Sequence, residues 1–87
     1  MKFEYDTNKS LTNKAKHGLD FEEAQTLWND SEGVNIQAKS DTEVRYAFVS
    51  KLHAKYWIAF YTLRNDVIRL ISVRRARDNE QRIYDES

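Results

Sequence analysis

The chain of 87 residues contains no cysteine and no proline, and it has only two glycines. The absence of cysteine excludes a disulfide scaffold and a thiolate zinc site, and two histidines are too few to complete a structural zinc site. No proline-rich or glycine-rich linker divides the chain. No apolar run approaches the ~20 residues that span a bilayer, and the first ten residues lack a secretory signal. We therefore expect a cytoplasmic protein.

The residues that are present suffice for one folded domain, 1–87. Hydrophobic residues make up 40% of the chain and aromatic residues 13%, against 32% charged residues. A chain of this length buries roughly 60% of the surface that its unfolded form exposes. The composition therefore favours a single folded domain over a disordered segment.

The net charge is zero, but the two halves of the chain have opposite charge. Residues 1–43 hold five Lys/Arg and nine Asp/Glu, whereas residues 44–77 hold eight Lys/Arg and one Asp/Glu. The basic residues are mostly arginines interleaved with tyrosine, tryptophan and phenylalanine, and the planar fork of arginine suits phosphate and carboxylate. This asymmetry predicts nucleic acid or an acidic partner, with a solvated charged face as the alternative.

The N-terminal third predicts a short strand and two helices. Residues 2–5 alternate as a strand does. One of residues 6–8 can cap a first helix that runs to about His17, where Gly18 stops it. A second helix is predicted to begin at Asp20. This second helix has an apolar stripe that comprises Phe21, Ala24, Leu27 and Trp28.

From residue 34 onward the hydrophobic period changes to two, which predicts strands. Residues 34–38 form one strand, and residues 39–42 predict a turn. Three more strands, rich in β-branched and aromatic residues, are predicted at 44–52, 56–64 and 67–74. Their short breaks make them antiparallel neighbours, and residues 75–84 suit a C-terminal helix. The expected fold is α+β: an antiparallel sheet with two N-terminal helices packed on it and a short C-terminal helix.

The strand register predicts a cluster of arginines. If both breaks are two-residue turns, Arg45, Thr62 and Arg69 form one row across three strands, and Arg64 lies on the same face. Arginines this close repel one another, so they need acceptors. Either acidic groups of the second helix such as Glu22 or Glu23 pair with them, or the arginines form a site for phosphate or a partner's carboxylates.

The same register makes a prediction further along the strands. It places Val73 beside Ile58 on the face of the arginines, and Arg74 beside Trp57 on the opposite face. An extra residue in any strand would reverse this facing.

A few other side chains are candidates for chemistry or binding. His17 can act as a general acid or base, or it can be a partner of the helix dipole. Tyr84 can supply a phenol or anchor the last helix. Three arginines of the C-terminal segment can contact phosphates or form a solvated helix start, namely Arg74, Arg75 and Arg77. No acidic cluster suited to Mg²⁺ and no glycine-rich phosphate loop is found.

Several spaced segments coincide with one known family. Residues 16–24, KHGLDFEEA, resemble the KHG-(hydrophobic)-x-F-x-x-A signature of the BrnT toxins. Arg45 stands where that family has its mid-chain arginine, and residues 61–64, YTLR, resemble its aromatic-T-x-R strand. Residues 69–84 are similar to its R-I-I-S-A-R-x-A-x-x-x-E-x-x-x-Y ending. The resemblance covers nearly the whole chain and departs from the family pattern at Ser50, where a glycine is usual.

The resemblance implies a RelE-like ribonuclease fold, a toxin that cleaves RNA and inhibits translation, and a BrnA-like ribbon-helix-helix antitoxin. Operator DNA would be contacted only through the complex with that antitoxin. The implied chemistry is metal-independent cleavage by the RNA 2′-hydroxyl, with no cofactor. The alternative is a non-catalytic, antitoxin-binding subunit of a DNA-binding repressor complex.

Cleavage of this kind needs a base, cations for the phosphorane and an acid for the leaving oxygen. Arg45, Arg64 and Arg69 fit the stabilising role. The sequence does not choose among the candidates for proton transfer, which are Lys16, His17, Glu23 and Tyr84. The residues predicted to contact RNA are Lys16, Arg74, Arg75 and Arg77.

Overall fold

Five strands form one sheet in the computed structural model, which describes residues 1–38 and 42–87. In chain order the strands are β1 (Lys2–Glu4), β2 (Val34–Ala38), β3 (Arg45–Leu52), β4 (Lys55–Arg64) and β5 (Val67–Arg75). The helices are α1 (Thr7–His17), a 3₁₀ helix (Glu23–Asn29) and α2 (Asp78–Glu86). The predicted α+β class is confirmed. Of the predicted turn at 39–42, the first three residues lie outside the described residues.

The sheet is mixed, with the strand order β1-β5-β4-β3-β2. Strands β2 to β5 pair antiparallel, but β1 pairs parallel with β5, so the prediction of a purely antiparallel sheet was wrong. Parallel neighbours need a long connection between them, and most of the chain separates β1 from β5. Phe3 of β1 packs edge-on against Trp28, with ring centroids 5.2 Å apart. This contact holds β1 at the edge of the sheet.

Helix α1 has the ends that the sequence predicted. The carboxylate of Asp6 accepts hydrogen bonds from the N–H groups of Asn8 (2.8 Å) and Lys9 (3.1 Å). Gly18 ends the helix with a φ of 90°, and its N–H donates to the carbonyl of Lys14. A left-handed residue at this position favours glycine.

The predicted second α-helix was wrong, because the segment Glu23–Asn29 is a 3₁₀ helix. Phe21, Ala24 and Leu27 all have 0% exposure, whereas Trp28 is only half-buried. Residues three apart lie in one row on a helix with three residues per turn. The 3₁₀ helix and the turn that precedes it therefore bury a single row of side chains against the sheet. One α-helix and one 3₁₀ helix replace the expected pair of α-helices.

Both predicted breaks between the long strands are two-residue turns. His53 and Ala54 have φ values of 52° and 66°, and Asn65 and Asp66 have φ values of 51° and 66°. Two consecutive residues with positive φ are typical of the type I′ turn, whose twist matches that of antiparallel strands. The register next to each turn is therefore the predicted one.

A bulge in β5 changes the register further along. Tyr61 of β4 pairs with Leu70, but the preceding Phe60 pairs with Ser72, so Ile71 has no partner in β4. The extra residue reverses the facing of everything that follows it. Val73 therefore turns toward the helices and Arg74 turns away from them, the opposite of what the sequence predicted.

The two faces of the sheet have different character. One face, which we call the helical face, packs against the 3₁₀ helix and the segment that precedes it. Its buried sheet residues are Phe48, Trp57, Ala59, Tyr61, Ile68, Leu70 and Val73. The other face, which we call the arginine face, has a smaller apolar cluster of Ala47, Val49 and Ile58. Along its strands it also carries Arg45, Arg64, Arg69 and Arg74.

Helix α2 begins later than predicted and covers only part of the arginine face. Arg75 still belongs to β5, where it pairs with Trp57, and the N–H of Ala76 bonds to the carbonyl of Tyr56. No residue of α2 is buried. Within the described residues, no helix combines the length and apolar character needed to cross a membrane.

Candidate functional site

Three arginines lie at one end of the arginine face, as the register predicted. Arg69 of β5 pairs directly with Thr62 of β4, and Thr62 is 4% exposed. Arg45 begins β3 one residue before Tyr46, so alternation places it on this same face. Arg64, two residues after Thr62, also lies on this face. The short turn at 65–66 and the ladder between β3 and β4 bring the three together.

The acceptors of these arginines differ from the predicted ones. The Nη1 of Arg69 lies 3.3 Å from the Oε2 of Glu4, and the Nε of Arg45 lies 4.0 Å from the Oε1 of Glu43. Neither Glu22 nor Glu23 forms an ion pair with them, so of the two alternatives left open by the sequence, pairing with the second helix is not observed. The side chain of Arg69 remains 33% exposed and that of Arg45 42% exposed. Both side chains therefore remain partly accessible to a ligand.

Among the described residues, 1–38 and 42–87, the Nε of Arg45 has no hydrogen-bond acceptor. This nitrogen is buried. The contact with Glu43, at 4.0 Å, is too long for a hydrogen bond. A buried donor without an acceptor costs free energy.

Arg74 shows how a guanidinium of this face binds an anion. Its two terminal nitrogens donate to the two oxygens of Glu80 at 2.9 and 2.8 Å, and it stacks over the ring of Phe60 with 5.3 Å to the centroid. Burial opposes the charged form of Glu80, but the hydrogen bonds from Arg74 and from the N–H of Arg77 lower its pKa below the usual value. The parallel fork is the geometry that arginine also offers to phosphate.

Glu23 does not join the arginines. Its Oε1 accepts from the Nζ of Lys14 at 2.7 Å and from the N–H of Asp20 at 3.0 Å, and these bonds lower its pKa. The N–H of Glu23 donates in turn to the carboxylate of Asp20, which completes a capping box. Glu23 therefore holds the start of the 3₁₀ helix on the helical side, and its predicted catalytic role lacks support.

Tyr84 lies at the far end of the arginine face. Its hydroxyl donates to the Oδ2 of Asp30 at 2.8 Å, and its ring packs edge-on against Tyr56. Burial and the Asp30 carboxylate raise the pKa of Tyr84 to about 12. Tyr56 pairs with Lys51, which stands six residues after Arg45 on β3, or about 20 Å along the strand. Tyr84 and the three arginines therefore cannot act on one phosphate.

His17 and Lys16 line a cavity at the edge of the sheet, which we call the edge cavity. Its volume is about 280 Å³. The residues around it are Asn8, Lys9, Thr12, Asn13, Lys16, His17, Ile71 and Ser72. Ser72 pairs with Phe60 and so belongs to the arginine face. Of the side chains proposed for proton transfer, His17 and Lys16 thus line a cavity that adjoins the arginine face at Ser72.

The match to a protein family agrees with this arrangement. Residues 5–80 match the family described as "Ribonuclease toxin, BrnT, of type II toxin-antitoxin system". The chain belongs to the BrnT family. The resemblance seen in the sequence is confirmed. The family is described as the ribonuclease toxin of a type II toxin-antitoxin system, which implies an antitoxin partner. No curated protein matches the chain.

Two of the arginines predicted to contact RNA lie apart from the rest in this BrnT chain. Arg75 lies on the helical face, with its guanidinium 5.5 Å from the ring centroid of Trp57 and its Nε donating to the carbonyl of Tyr56. Arg77 is exposed at the start of α2. Of the predicted RNA contacts, Lys16 and Arg74 are therefore the ones that the BrnT fold places beside the arginine face.

Several residues of the site escaped the sequence analysis. Glu4 and Glu80 come from the two ends of the chain, and only the fold brings them to Arg69 and Arg74. The α1 side of the edge cavity has a visible signal, because residues 8, 9, 12, 13 and 16 share one face of a helix. In the part of the chain that the structure describes, no three His, Asp or Glu side chains are grouped to hold a metal ion.

Proposed function

We propose that this chain is a metal-independent endoribonuclease with a RelE-like scaffold, which cleaves RNA in the bacterial cytoplasm and thereby inhibits translation. The observation that carries the proposal is the group of three arginines on one face, Arg45, Arg64 and Arg69, of which Arg45 and Arg69 have side chains 42% and 33% exposed. Three neighbouring guanidinium groups fit a phosphodiester, which supplies negative charge and several acceptor oxygens.

The proposed reaction uses the RNA's own nucleophile. A base removes the proton of the ribose 2′-hydroxyl, the oxygen attacks the adjacent phosphorus, and the bond to the 5′-oxygen breaks. An acid protonates the departing 5′-oxygen, which leaves a 2′,3′-cyclic phosphate and a 5′-hydroxyl. The phosphorane gains negative charge as it forms, and preorganised cationic donors stabilise that charge.

The arginines and the edge cavity divide these roles. Arg45, Arg64 and Arg69 stabilise the phosphorane, and the proposed reaction uses no metal ion. His17 transfers the proton, because its cavity opens beside Ser72 of the same face and an imidazole can both accept and donate a proton. Ser72 lies three residues from Arg69 on β5, about 10 Å, so one RNA strand can contact both.

The proposed partner is a BrnA-like ribbon-helix-helix antitoxin that covers the arginine face. Three arginines of this face already contact carboxylates of the chain itself, at Glu4, Glu43 and Glu80. Acidic side chains of an antitoxin fit the same guanidinium groups, and they would exclude RNA from them. Operator DNA is then bound by the antitoxin part of the complex.

The direct test is RNA cleavage by the purified protein in the presence of EDTA. We expect fragments that end in a 2′,3′-cyclic phosphate, and no cleavage where the 2′-hydroxyl is replaced by hydrogen. Arg45→Ala should reduce the rate strongly, whereas the exposed Arg82→Ala on α2 serves as the matched control. A strict requirement for a divalent metal ion, or equal rates for the two variants, would contradict the mechanism.

Expression in cells tests the physiological part of the proposal. The chain alone should arrest growth and protein synthesis, and coexpression of the cognate antitoxin should restore both. Normal growth with confirmed soluble expression would contradict the proposed toxicity.

The second candidate is a non-catalytic subunit of a repressor complex. It is favoured by the carboxylates that the arginine face already binds, above all the two-pronged contact of Arg74 with Glu80. This candidate predicts tight antitoxin binding without any RNA cleavage, so the same assay separates the two.

A further inference from the structure

A polar stripe of α1 forms one wall of the edge cavity. The stripe consists of Asn8, Lys9, Thr12 and Lys16, spaced so that all four lie on one side of the helix. The opposite wall is the bulge of β5, at Ile71 and Ser72. The cavity therefore lies between a helix and the edge of the sheet, next to the arginine face.

The gap between α1 and β5 is built into the fold. Strand β1 pairs with β5 only as far as Arg69. Beyond the bulge, the side chain of Asn13 takes the place of a neighbouring strand, because it bonds to both the N–H (3.0 Å) and the carbonyl (2.9 Å) of Val73. Asn13 is 5% exposed, and its amide also donates to the carbonyl of Leu19. The walls of the gap are thus held in place without a ligand.

Among the described residues that line the edge cavity, the charged side chains are lysines. Its lining includes the two ammonium groups of Lys9 and Lys16 and no carboxylate. Within the described ranges 1–38 and 42–87, neither lysine forms an ion pair, whereas Lys14 on another side of the same helix pairs with Glu23. Two unneutralised cations beside hydroxyl and amide groups suit phosphate oxygens.

We infer that the stripe of α1 binds the phosphates of a single-stranded RNA that continues from the arginine face across the bulge of β5. This inference rests on the proposed ribonuclease function and extends it to a substrate class. Lys9 and Lys16 stand seven residues apart, or about 10 Å along the helix. That length holds two or three nucleotides at about 3.4 Å each when the bases are stacked. The substrate is therefore a strand that extends beyond the cleaved bond, not a dinucleotide.

The test measures how strongly salt weakens binding of an RNA of ten nucleotides whose 2′-hydroxyls are methylated, so that it cannot be cleaved. Each phosphate contact that is lost lowers the slope of log K against log salt by about 0.7 for a single strand. We expect Lys9→Gln and Lys16→Gln each to lower the slope by about 0.7, and the double variant by about 1.4. Lys55→Gln, an exposed lysine at the start of β4, is the matched control and should leave the slope unchanged.

The outcomes separate this inference from the proposed function. Equal slopes for the stripe variants and the control would overturn the inference, even if natural RNA is cleaved. A lowered slope without cleavage of natural RNA would support the binding stripe and contradict the ribonuclease. If the stripe variants weaken only the complex with the antitoxin, the stripe is a protein interface and the inference is wrong. Melting curves verify that each variant is folded.

Discussion

The two faces of the sheet differ in how tightly they are packed and in how much charge they expose. On the helical face, Phe21, Ala24 and Leu27 are fully buried and pack against a continuous apolar layer. On the arginine face, the buried cluster is small, α2 contributes no buried residue, and guanidinium groups lie half-exposed. Stability is concentrated on the first face, and the groups that can bind an anion lie on the second.

This division explains why the bulge of β5 matters. Because Ile71 is an extra residue in β5, the side chain of Val73 lies in the core of the helical face and that of Arg74 lies on the arginine face. Without the bulge, a charged residue would point into the apolar layer, where an unpaired charge is costly. One extra residue thus serves both the core and the anion-binding face.

The largest expected effect is on the helical face. Phe21→Ala removes a fully buried ring and leaves a cavity, which should lower the free energy of unfolding by about 3–5 kcal/mol. The free energy of unfolding of a natural domain is only about 5–15 kcal/mol, so this variant should be close to unfolding. Urea denaturation measures the loss. Ile83→Ala, on the exposed side of α2, is the control, and a similar loss in both variants would abolish the contrast between the faces.

A smaller effect is expected from the ion pair that holds α2. Glu80→Gln should cost about 1–2 kcal/mol at neutral pH, since Arg74 and Glu80 are largely shielded, with side chains 23% and 13% exposed. The folded-state pKa of Glu80 is lowered, so the pair stabilises the protein above the unfolded value of 4.5. The difference from the natural chain should disappear as the pH falls from 4.5 through the lowered pKa.

Urea denaturation over a pH series checks this prediction, with Glu86→Gln at the exposed end of α2 as the control. A difference that is independent of pH would mean that Glu80 acts by packing and not by its charge.

The smallest effect concerns the turns that set the register of both faces. Ala54 has a φ of 66°, a conformation that costs an alanine free energy and a glycine almost none. Ala54→Gly should therefore raise the stability by about 0.5–1 kcal/mol, or a few degrees in Tm. Asn65→Gly in the other turn should raise the stability by less, because asparagine tolerates this conformation. A lower Tm for Ala54→Gly would contradict the assigned turn geometry.

The features that the sequence predicted correctly depend on neighbours along the chain. A cap among residues 6–8 and a stop at Gly18 are signals within one helix, and both are confirmed, with Asp6 as the cap. The row of Thr62 and Arg69 depends only on the two-residue turn at 65–66, so it was also within reach.

The features that were missed depend on distant parts of the chain. No local signal marks the bulge at Ile71, and nothing in residues 2–4 tells which strand they join. The stripe of the 3₁₀ helix is ambiguous, since Phe21, Ala24 and Trp28 fit an α-helix as well. Tyr84 was named as a candidate for proton transfer together with the arginines, and the length of β3 separates it from them.

We propose that the arginine face performs the chemistry while the helical face maintains the fold. This proposal is tested most directly by measuring RNA cleavage and a melting curve on the same preparations of Arg69→Ala and Arg69→Lys. The pair of Arg69 with Glu4 is partly exposed and contributes at most about 1 kcal/mol, so Tm should change little.

Cleavage by Arg69→Ala should fall on the order of a hundredfold or more, the effect of losing one contact worth about 3–4 kcal/mol in the transition state. Arg69→Lys should restore little, because an ammonium group cannot reproduce the two-pronged contact. Normal cleavage by a folded Arg69→Ala, or loss of the fold itself, would contradict the account.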